Sequence, residues 1–468
     1  MKEYLKSSTI RGDRGGEGYF CSGLFLLIMV IFSIANLEAK ASIPILRVGI
    51  FLDCKEITLK GDQGLEIYEI PTKKSLFVQK DNKSLKITAE SQGIKINNQS
   101  FKIGQGIKVI PTGNGFLQVE DKKYRGHIEI NLHQSLLRVI NVIEIEEYLY
   151  GVLKKEISPE WPAEALKAQA IAARTFALSN MNKYIEQGYH ICATTNSQEY
   201  GGVFYEHPAT NKAVNDTRGI VAVYEGEPIN AVYHSDSGGY TENSEDVWGS
   251  YVPYLRSISS EYEEIVTPPN HQWDCSLTEQ EILSKLNQQG LKLNAIEEIM
   301  VNKKTEAGRV KSVDIVGDNK KITLKTNDFR LFLGPKLIRS SLFTVEKKGG
   351  SILVKNPKKS ESTVVTQDSN LEEKTISEIL KEDRDFTIPE LLALLNRPKG
   401  DLKPPAAAKV EVEQTQVSED LTFTFHGRGN GHGVGLSQWG AYGMATLGYN
   451  YEAILKHYYQ GIQLTKLY

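Results

Sequence analysis

Cysteine is scarce in this chain, and its few thiols follow no metal-binding spacing. Among 468 residues there are four cysteines: Cys21 near the N-terminus, then Cys54, Cys192 and Cys275. The last three cannot all pair, and none belongs to a CxxC motif. The sequence therefore predicts at most one disulfide after the N-terminal segment and excludes a small disulfide-stabilised fold.

The chain also lacks a strong excess of charge of either sign. Lys and Arg total 55 and Asp and Glu total 58, which leaves a formal net charge of −3. A nucleic-acid-binding domain usually carries a basic stripe, so no nucleic-acid partner is expected. The hydrophobic share of 40% and the charged share of 24% are ordinary for a globular protein. The length indicates two to three domains.

Long hydrophobic runs are missing except for one near the N-terminus, Leu24 to Ile34, which is too short for a spanning helix of about 20 residues. The small-residue motif Ala39-Lys40-Ala41 follows it, and four basic residues precede it, namely Lys2, Lys6, Arg11 and Arg14. This pattern predicts a secretory signal over 1–41, with an uncleaved N-terminal anchor as the alternative. We therefore expect an exported protein of the periplasm, cell envelope or medium, which touches a membrane only if the segment is retained.

Composition divides the rest of the chain. Residues 42–139 are β-rich, with short alternating runs separated by Asn, Asp, Gly and Lys turns. Lys, Ser, Glu, Thr, Gln and Pro dominate 356–420, which predicts a mostly disordered insertion with one short apolar helix, Ile388 to Leu395. The insertion separates the two parts of a predicted catalytic domain, 140–355 and 421–468.

Local patterns predict an α+β fold. Ile45 to Leu52 has the pattern of a strand, and Tyr124–Ile130 with Leu136–Ile140 has that of a hairpin. Helices are expected over 145–187, with Pro162 in the first turn of the second helix and Gly188 after its last turn. We expect a helical hairpin that packs on antiparallel β-structure and forms a substrate groove, preceded by the N-terminal β-rich region.

The first chemically informative cluster is the corner between these two helices. Glu156 stands at the end of the first helix, before the turn Ser158-Pro159-Glu160-Trp161-Pro162. Apolar neighbours such as Ile157 and Trp161 would raise the pKa of a carboxyl group there, as a glycan-cleaving general acid requires. The plain alternative is a solvated carboxylate at a helix end, and Glu160 is the next candidate acid.

Two further clusters carry polar and glycine residues. Tyr233 to Glu242 collects hydroxyl groups, an imidazole and acids after a strand. Gly427 to Ala441 has five glycines at alternate positions, which suits a closely approached backbone or a turn before a helix over Ser437–Leu447. It satisfies neither G-x-G-x-x-G nor the P-loop pattern, so a nucleotide role is not expected.

In this order, the three clusters resemble the family of stage II sporulation protein D and the LytB amidase enhancer. The matching pieces are EEYLYGVLKKEISPEWPAEALKAQAIAARTFAL, YHSDSGGYTENSEDVW with the following PYL, and GRGNGHGVGLSQWGAYGMATLGYNYEAILKHYYQG. They cover about 140–260 and 421–462. The resemblance implies peptidoglycan as substrate and lytic transglycosylase activity on glycan strands stripped of stem peptides, and it places the family's catalytic Glu on Glu156.

Other side chains of these clusters are candidates for substrate binding. The candidates are Arg174, Tyr200, His234, Ser235, Ser237, Glu242, His432, Ser437 and Gln438. Two of them have structural alternatives of similar weight, a salt-bridged helix arginine for Arg174 and a satisfied structural histidine for His234, and a tyrosine such as Tyr200 is more often a core aromatic.

No metal or other cofactor is expected. Some members of the family hold zinc with paired Cys and His residues after the long helix. Here that stretch keeps His190 and Cys192, while Asn196 and Ser197 stand where a second pair would complete four ligands.

The resemblance leaves a second class of function open. The amidase-enhancer branch implies a non-catalytic protein that binds the wall and stimulates a cell-wall amidase, which would then be the partner. A purely structural envelope protein is a third, weaker hypothesis.

Overall fold

The N-terminal third forms strands because apolar and polar side chains alternate along it. The computed structural model describes residues 42–349 and 420–468. Within 42–144 the strands are β1 (Ile45–Cys54), β2 (Glu56–Gly61), β3 (Leu65–Ile70), β4 (Ser75–Gln79), β5 (Leu85–Glu90), β6 (Gly93–Ile96), β7 (Gln99–Lys102), β8 (Gly106–Pro111), β9 (Leu117–Val119), β10 (Lys122–Tyr124), β11 (His127–His133) and β12 (Leu136–Glu144). The predicted β-rich region is confirmed.

These strands build two sheets around one core. With the short β13 (Ile191–Cys192), the larger sheet has the order β13-β1-β12-β11-β8-β3-β4, and the smaller has the order β10-β9-β2-β5-β6-β7. The expected hairpin is present as β11 and β12, which pair antiparallel from His127 opposite Val142 to His133 opposite Leu136. Fully buried side chains from both sheets, such as Ile57 and Ile130, belong to one hydrophobic cluster.

Two helices follow directly. α1 (Ile145–Glu156) carries acids in its first turn, and α2 (Ala163–Ser179) is rich in alanine. Buried side chains of α1, including Leu149 and Val152, complete the core of the two sheets. The predicted helical hairpin is therefore confirmed, and it shares its core with the β-rich region.

The boundaries of α2 differ from the prediction. Pro162 is the residue before the first turn, and the helix ends at Ser179. The Asn180 side chain donates to the Phe176 carbonyl oxygen at 2.9 Å, and the same oxygen accepts from the Asn180 backbone N–H at 3.1 Å. Gly188 instead closes a separate 3₁₀ turn, Ile185–Gln187, with a φ of 86°.

The remaining elements surround the hairpin. They are a 3₁₀ turn (Gly202–Tyr205), α3 (Pro208–Asp216), β14 (Ile220–Tyr224), β15 (Glu227–Pro228), β16 (Tyr233–His234), α4 (Ser244–Trp248), α5 (Glu263–Val266), β17 (Gln272–Thr278), α6 (Glu279–Gln288), β18 (Glu298–Lys304), β19 (Val310–Gly317), β20 (Lys320–Lys325), α7 (Thr326–Leu333), β21 (Leu342–Lys348), β22 (Thr422–Arg428), β23 (Leu436–Ser437), α8 (Gln438–Thr446), α9 (Tyr451–Tyr458) and β24 (Gln463–Lys466).

Strands of the segment after residue 420 pair with strands from earlier parts of the chain. β22 lies between β17 and β21, β23 pairs in parallel with β16, and β24 pairs antiparallel with β14. The β16–β23 pairing sets Tyr233 opposite Leu436 and His234 opposite Ser437. The second and third sequence clusters are therefore neighbours in space.

Some predictions fall on residues that the structure does not describe. The signal segment 1–41 with Cys21, the helix Ile388–Leu395 and the insertion 356–420 apart from its last residue lie outside the described ranges. Within those ranges, Cys54, Cys192 and Cys275 are free thiols. No helix within 42–349 or 420–468 is long and apolar enough to cross a membrane.

Candidate active site

Glu156 stands where α1 gives way to the turn before α2. The next residue, Ile157, is extended, and its N–H donates back to the Leu153 carbonyl oxygen at 2.9 Å. Pro159 and Pro162 prevent the first helix from running on, because proline lacks the amide hydrogen that a helix needs. The Glu156 carboxyl group is therefore carried by the last turn of a helix that the core holds in place.

Burial is the main influence on this carboxyl group. It raises the pKa of Glu156 to about 7, and the negative charge of Glu199 acts in the same direction. Hydrogen bonds from the Glu199 amide, at 3.4 Å, and from the Tyr233 and Gln438 side chains favour the carboxylate and limit the rise in pKa. Near neutral pH the group therefore exists in comparable amounts as acid and carboxylate.

Glu156 lines a groove with a volume of about 580 Å³. Side-chain amides surround it, from Asn180, Asn196, Gln198 and Asn230. Amide groups both donate and accept hydrogen bonds, so they suit a ligand that is rich in hydroxyl and acetamido groups.

A series of hydrogen bonds through Gln198 fixes the side chains on one side of the groove. Gln198 donates to the Tyr233 hydroxyl oxygen at 3.0 Å and to the Ala173 carbonyl oxygen at 3.3 Å, and it accepts from the Tyr148 hydroxyl at 3.2 Å. The sequence analysis missed Gln198 and Glu199. Neither belongs to a recognisable motif, and only the fold brings them to Glu156.

His432 lies on the same groove, and its ring is neutral. Its Nδ1 accepts from the Val434 N–H at 3.1 Å, which leaves Nε2 to donate to the Tyr233 carbonyl oxygen at 3.0 Å. Burial lowers the pKa of His432 to about 3, and the charge of Arg330 adds to this effect. His432 therefore shapes the groove and does not exchange a proton near neutral pH.

His234 lies beside His432, with ring centroids 5.4 Å apart and ring planes inclined by 55°. Its Nδ1 interacts with the Val434 carbonyl oxygen at 3.1 Å, whereas its buried Nε2 has no partner among the described residues. Burial lowers the pKa of His234 well below its usual value. The ring is only 4% exposed, so the predicted direct contact with substrate is wrong.

Two other predicted binding residues are core residues. Arg174 is fully buried and forms a bidentate ion pair with Glu146, with nitrogen–oxygen distances of 2.9 and 2.8 Å. Tyr200 is 4% exposed, and its hydroxyl donates to the Asn141 side-chain oxygen at 2.8 Å. The predicted substrate contacts of both residues are wrong because no surface is left for a ligand.

The predicted hydroxyl ligands Ser237 and Ser437 converge on a carboxylate. Both are fully buried, and both hydroxyls donate to Glu263, Ser237 at 2.9 Å. Ser437 also caps α8 by accepting from the Gly440 N–H at 3.2 Å. Their predicted role as sugar ligands is corrected to one of joining the two loops through Glu263.

Glu242 is likewise engaged within the protein. Its side chain is 1% exposed and accepts from the Asn243 N–H at 2.8 Å and from the Thr305 hydroxyl. The predicted contact of Glu242 with sugar is therefore wrong. Ser235 is part-buried, and its carbonyl oxygen accepts from the Trp439 N–H at 3.0 Å.

The structure thus places His432 on the groove of Glu156 and Gln438 within hydrogen-bonding distance of the Glu156 carboxyl group. The apolar neighbours expected beside Glu156, Ile157 and Trp161, do not line the groove. Trp161 lies on Trp439, with ring centroids 4.8 Å apart, and Ile157 belongs to a cluster with Leu166 and Ala213. The alternative acid, Glu160, is exposed.

The residues after α2 do not fit a zinc site of four ligands. His190 Nδ1 accepts from the Arg47 N–H at 3.2 Å, and the Cys192 sulfur lies 3.2 Å from the Thr194 hydroxyl. In the described part of the chain, one group of three donors is close enough for a metal, Asp236, Glu263 and His271. Hydrogen bonds already occupy these carboxylates, among them those from the Gly238 and Gly239 amides.

Comparison with known proteins identifies relatives of this chain. The family model described as stage II sporulation protein matches residues 133–224, and a domain of unknown function, DUF8618, matches 260–361. Stage II sporulation protein D of Bacillus subtilis (strain 168) is 32% identical over 243 residues, which are 48% of this chain and 67% of that protein.

Two further relatives match more of the chain. The amidase enhancer of the same strain is 30% identical over 334 residues, or 68% of this chain, which spans 40% of that longer protein. An uncharacterized protein of Brachyspira hyodysenteriae (strain ATCC 49526 / WA1) is 28% identical over 412 residues, 87% of this chain and 89% of that protein.

These matches first define a class, that of proteins with a cell-wall-related role. Within that class, the chain belongs to the family of stage II sporulation protein D and the LytB amidase enhancer.

Proposed function

We propose that this protein is an exported lytic transglycosylase that cleaves the MurNAc–GlcNAc bond of peptidoglycan glycan strands. The observation that carries the proposal is one part-buried carboxyl group, Glu156, whose pKa of about 7 lets it act as acid and then as base on a groove of matching polarity.

The reaction needs no second carboxylate. Protonated Glu156 gives its proton to the glycosidic oxygen as the bond from that oxygen to C1 of MurNAc breaks. The resulting carboxylate takes the proton of the C6 hydroxyl of the same MurNAc, and that oxygen bonds to C1. The products are a 1,6-anhydro-MurNAc end and a GlcNAc end, water is not consumed, and Glu156 regains its proton.

A hydrolase would instead use a second carboxyl group, about 5 to 10 Å from the first, to activate water or form a covalent intermediate. Glu199 also lines the groove, but its side chain is 45% exposed and lies 3.5 Å from the Lys155 ammonium. An exposed, paired carboxylate is poorly placed for that role, which favours the mechanism with one acid.

The test is digestion of peptide-free glycan strands, followed by mass spectrometry of the new ends. The wild-type protein is expected to yield anhydro ends, which are lighter by one water than hydrolytic reducing ends. Glu156→Gln keeps the size and polarity of the side chain but cannot donate this proton, so anhydro ends should fall by at least about 100-fold. Equal yields from both proteins would refute the proposal.

The second candidate function is stimulation of a cell-wall amidase. It is favoured by the similarity of 68% of this chain to an amidase enhancer. An N-acetylmuramoyl-L-alanine amidase assayed on intact peptidoglycan with and without the protein would test it. Faster peptide release that survives Glu156→Gln, with no new glycan ends, would support the enhancer and exclude the enzyme.

A further inference from the structure

Two large apolar side chains are exposed in the same groove as Glu156. Trp248 is 41% exposed and Leu331 is 52% exposed, although they belong to different segments of the chain. Exposed apolar groups inside a concave polar site commonly contact a ligand, since leaving them in water is unfavourable. Nothing in the hydrogen-bonded frame around Glu156 requires either side chain.

Trp248 is held in a fixed position. It ends α4, where Gly249 adopts a φ of 92° and donates back to the Glu245 carbonyl oxygen at 2.9 Å. The indole ring lies 5.1 Å from the His432 ring, between centroids, and both nitrogens of His432 are hydrogen-bonded. A ring that is already immobile loses little conformational entropy when a ligand packs on it.

The short helix that carries Trp248 is also anchored. Asp246 forms an ion pair with Lys311 at 2.6 Å. Lys311 belongs to β19, within the region 260–361 that matches the domain of unknown function. This region therefore contacts the Trp248 helix from outside the segment matched by the sporulation-protein model.

The same region supplies Leu331. On α7, Phe329 and Leu333 are fully buried. Leu331, which stands between them in the sequence, lines the groove. A helix whose buried residues fix its orientation presents Leu331 to the groove as a rigid apolar surface. The described part of this region, 260–349, thus provides both a support for Trp248 and one of the groove's own side chains.

We propose that Trp248 and Leu331 form a platform on which an N-acetylhexosamine ring of the glycan strand packs, and that residues 260–349 therefore take part in glycan recognition. This rests on the proposed function. A pyranose ring has an apolar face of C–H groups and a polar edge of hydroxyl and acetamido groups. The indole and leucyl groups match the face, and the amides of Asn180 and Asn230 match the edge.

The test measures binding in the absence of turnover. Peptide-free glycan strands are titrated into the Glu156→Gln protein by calorimetry, with Trp248→Ala, Trp248→Tyr or Leu331→Ala added. Trp248→Ala should weaken binding about tenfold or more, which corresponds to about 1.4 kcal/mol. Trp248→Tyr should restore most of the affinity, and Leu331→Ala should weaken binding a few-fold.

Phe204→Ala is the matched control. Phe204 is 78% exposed and does not line the groove, so its removal should leave the affinity unchanged. Undiminished binding by both Trp248→Ala and Leu331→Ala, or no binding by the Glu156→Gln parent, would overturn the platform. This binding assay uses a protein that cannot cleave. Failure of the wild type to form anhydro ends would therefore refute the proposed function without deciding whether Trp248 and Leu331 bind glycan.

Discussion

The proton affinity of Glu156 sets the pH range in which the proposed reaction can run. The first step needs the protonated acid, and burial raises the pKa to about 7. Cleavage should therefore persist to neutral pH and decline as the pH rises above about 7, because the acid then loses its proton before substrate arrives. A pH–rate profile of anhydro-end formation checks this directly.

Substitution of Glu199 should shift the pH–rate profile of anhydro-end formation. Its negative charge contributes to the raised pKa of Glu156, so Glu199→Gln should shift the alkaline limb to lower pH by a fraction of a unit. Glu160→Gln is the matched control, because Glu160 is exposed and absent from the groove. If the two variants gave the same limb as the wild type, Glu156 would not be the group that titrates.

Arg174 makes a stability prediction at the same scale. It is paired with Glu146, which also accepts from the Gly219 N–H at 3.1 Å and from the Tyr468 hydroxyl at 2.6 Å. Arg174→Met leaves a buried carboxylate without its cation and should lower the free energy of unfolding by about 3–5 kcal/mol.

The exposed pair of Lys212 and Asp216, at 2.7 Å on α3, is the control for Arg174→Met. Lys212→Ala should cost less than about 1 kcal/mol, because water and salt screen an exposed pair. Urea denaturation of both variants measures the difference. Similar losses in the two variants would mean that burial does not govern the strength of the Arg174 pair.

Some functional residues could be predicted from the sequence and others could not, for a physical reason. Glu156 could be chosen because a helix end next to a proline turn is a local feature. Arg174 and Tyr200 were assigned wrongly, because whether a polar side chain meets solvent or a buried partner depends on segments far along the chain. Trp248 was missed for the same reason, since only the fold shows that its ring faces the groove.

At the scale of elements, the glycine-rich loop before α8 shows why small residues stand there. Gly435 has a φ of 72°, and a Cβ at this position would overlap the Val232 carbonyl oxygen. That oxygen is fixed, since it accepts from the Leu436 N–H at 3.2 Å and from the Tyr459 hydroxyl at 2.9 Å. The predicted turn before a helix is therefore confirmed, and its close approach is to protein backbone.

A pair of alanine substitutions separates backbone strain from overlap. Gly448 also has a positive φ, 92°, but its added Cβ would meet nothing within 4 Å. Gly448→Ala should cost about 1 kcal/mol for the left-handed conformation, and Gly435→Ala should cost a further 1–3 kcal/mol, roughly, for the overlap. Thermal melts of the two variants measure the loss of stability in each. Equal losses of stability would refute a steric role for Gly435.

Element positions were predictable where periodicity is strong, as in β1 and the β11–β12 hairpin. The end of α2 was not, because alanine-rich sequence carries no stop signal. The helix ends at Ser179, well before Gly188, and the Asn180 side chain that follows it donates to the Asn230 side-chain oxygen at 3.1 Å, a contact with a segment distant in sequence.

For the whole molecule, the main departure from the sequence pattern is a shared interior. The chemical motifs begin near residue 140, yet Tyr148, Leu149 and Val152 of α1 pack into the same cluster as Ile57 and Ile130 of the sheets. Such contacts join residues distant in sequence, so no local sequence pattern predicts them.

A truncation experiment follows at this scale. A fragment of residues 135–468 keeps every motif but loses β1 to β11, and so exposes the core face of α1. Each large apolar side chain returned to water costs about 1.5–3 kcal/mol, so a few of them match a typical net stability of about 5–15 kcal/mol. We expect the fragment to aggregate or to lack a cooperative thermal transition, whereas residues 42–468 melt in one.

Circular dichroism and size-exclusion chromatography of the two proteins measure this. A monomeric 135–468 fragment that melts cooperatively would show that the β-rich region is dispensable for folding.

The weaving of the last segment into the middle of the chain has a consequence for the timing of activity. Glu156 is synthesised early, whereas His432, on the same groove, and Gln438, which hydrogen-bonds to Glu156, arrive more than 270 residues later. A nascent polypeptide therefore carries Glu156 before the groove around it is assembled. The cleavage proposed above would have to wait until the final strands are in place, so the topology itself would delay activity.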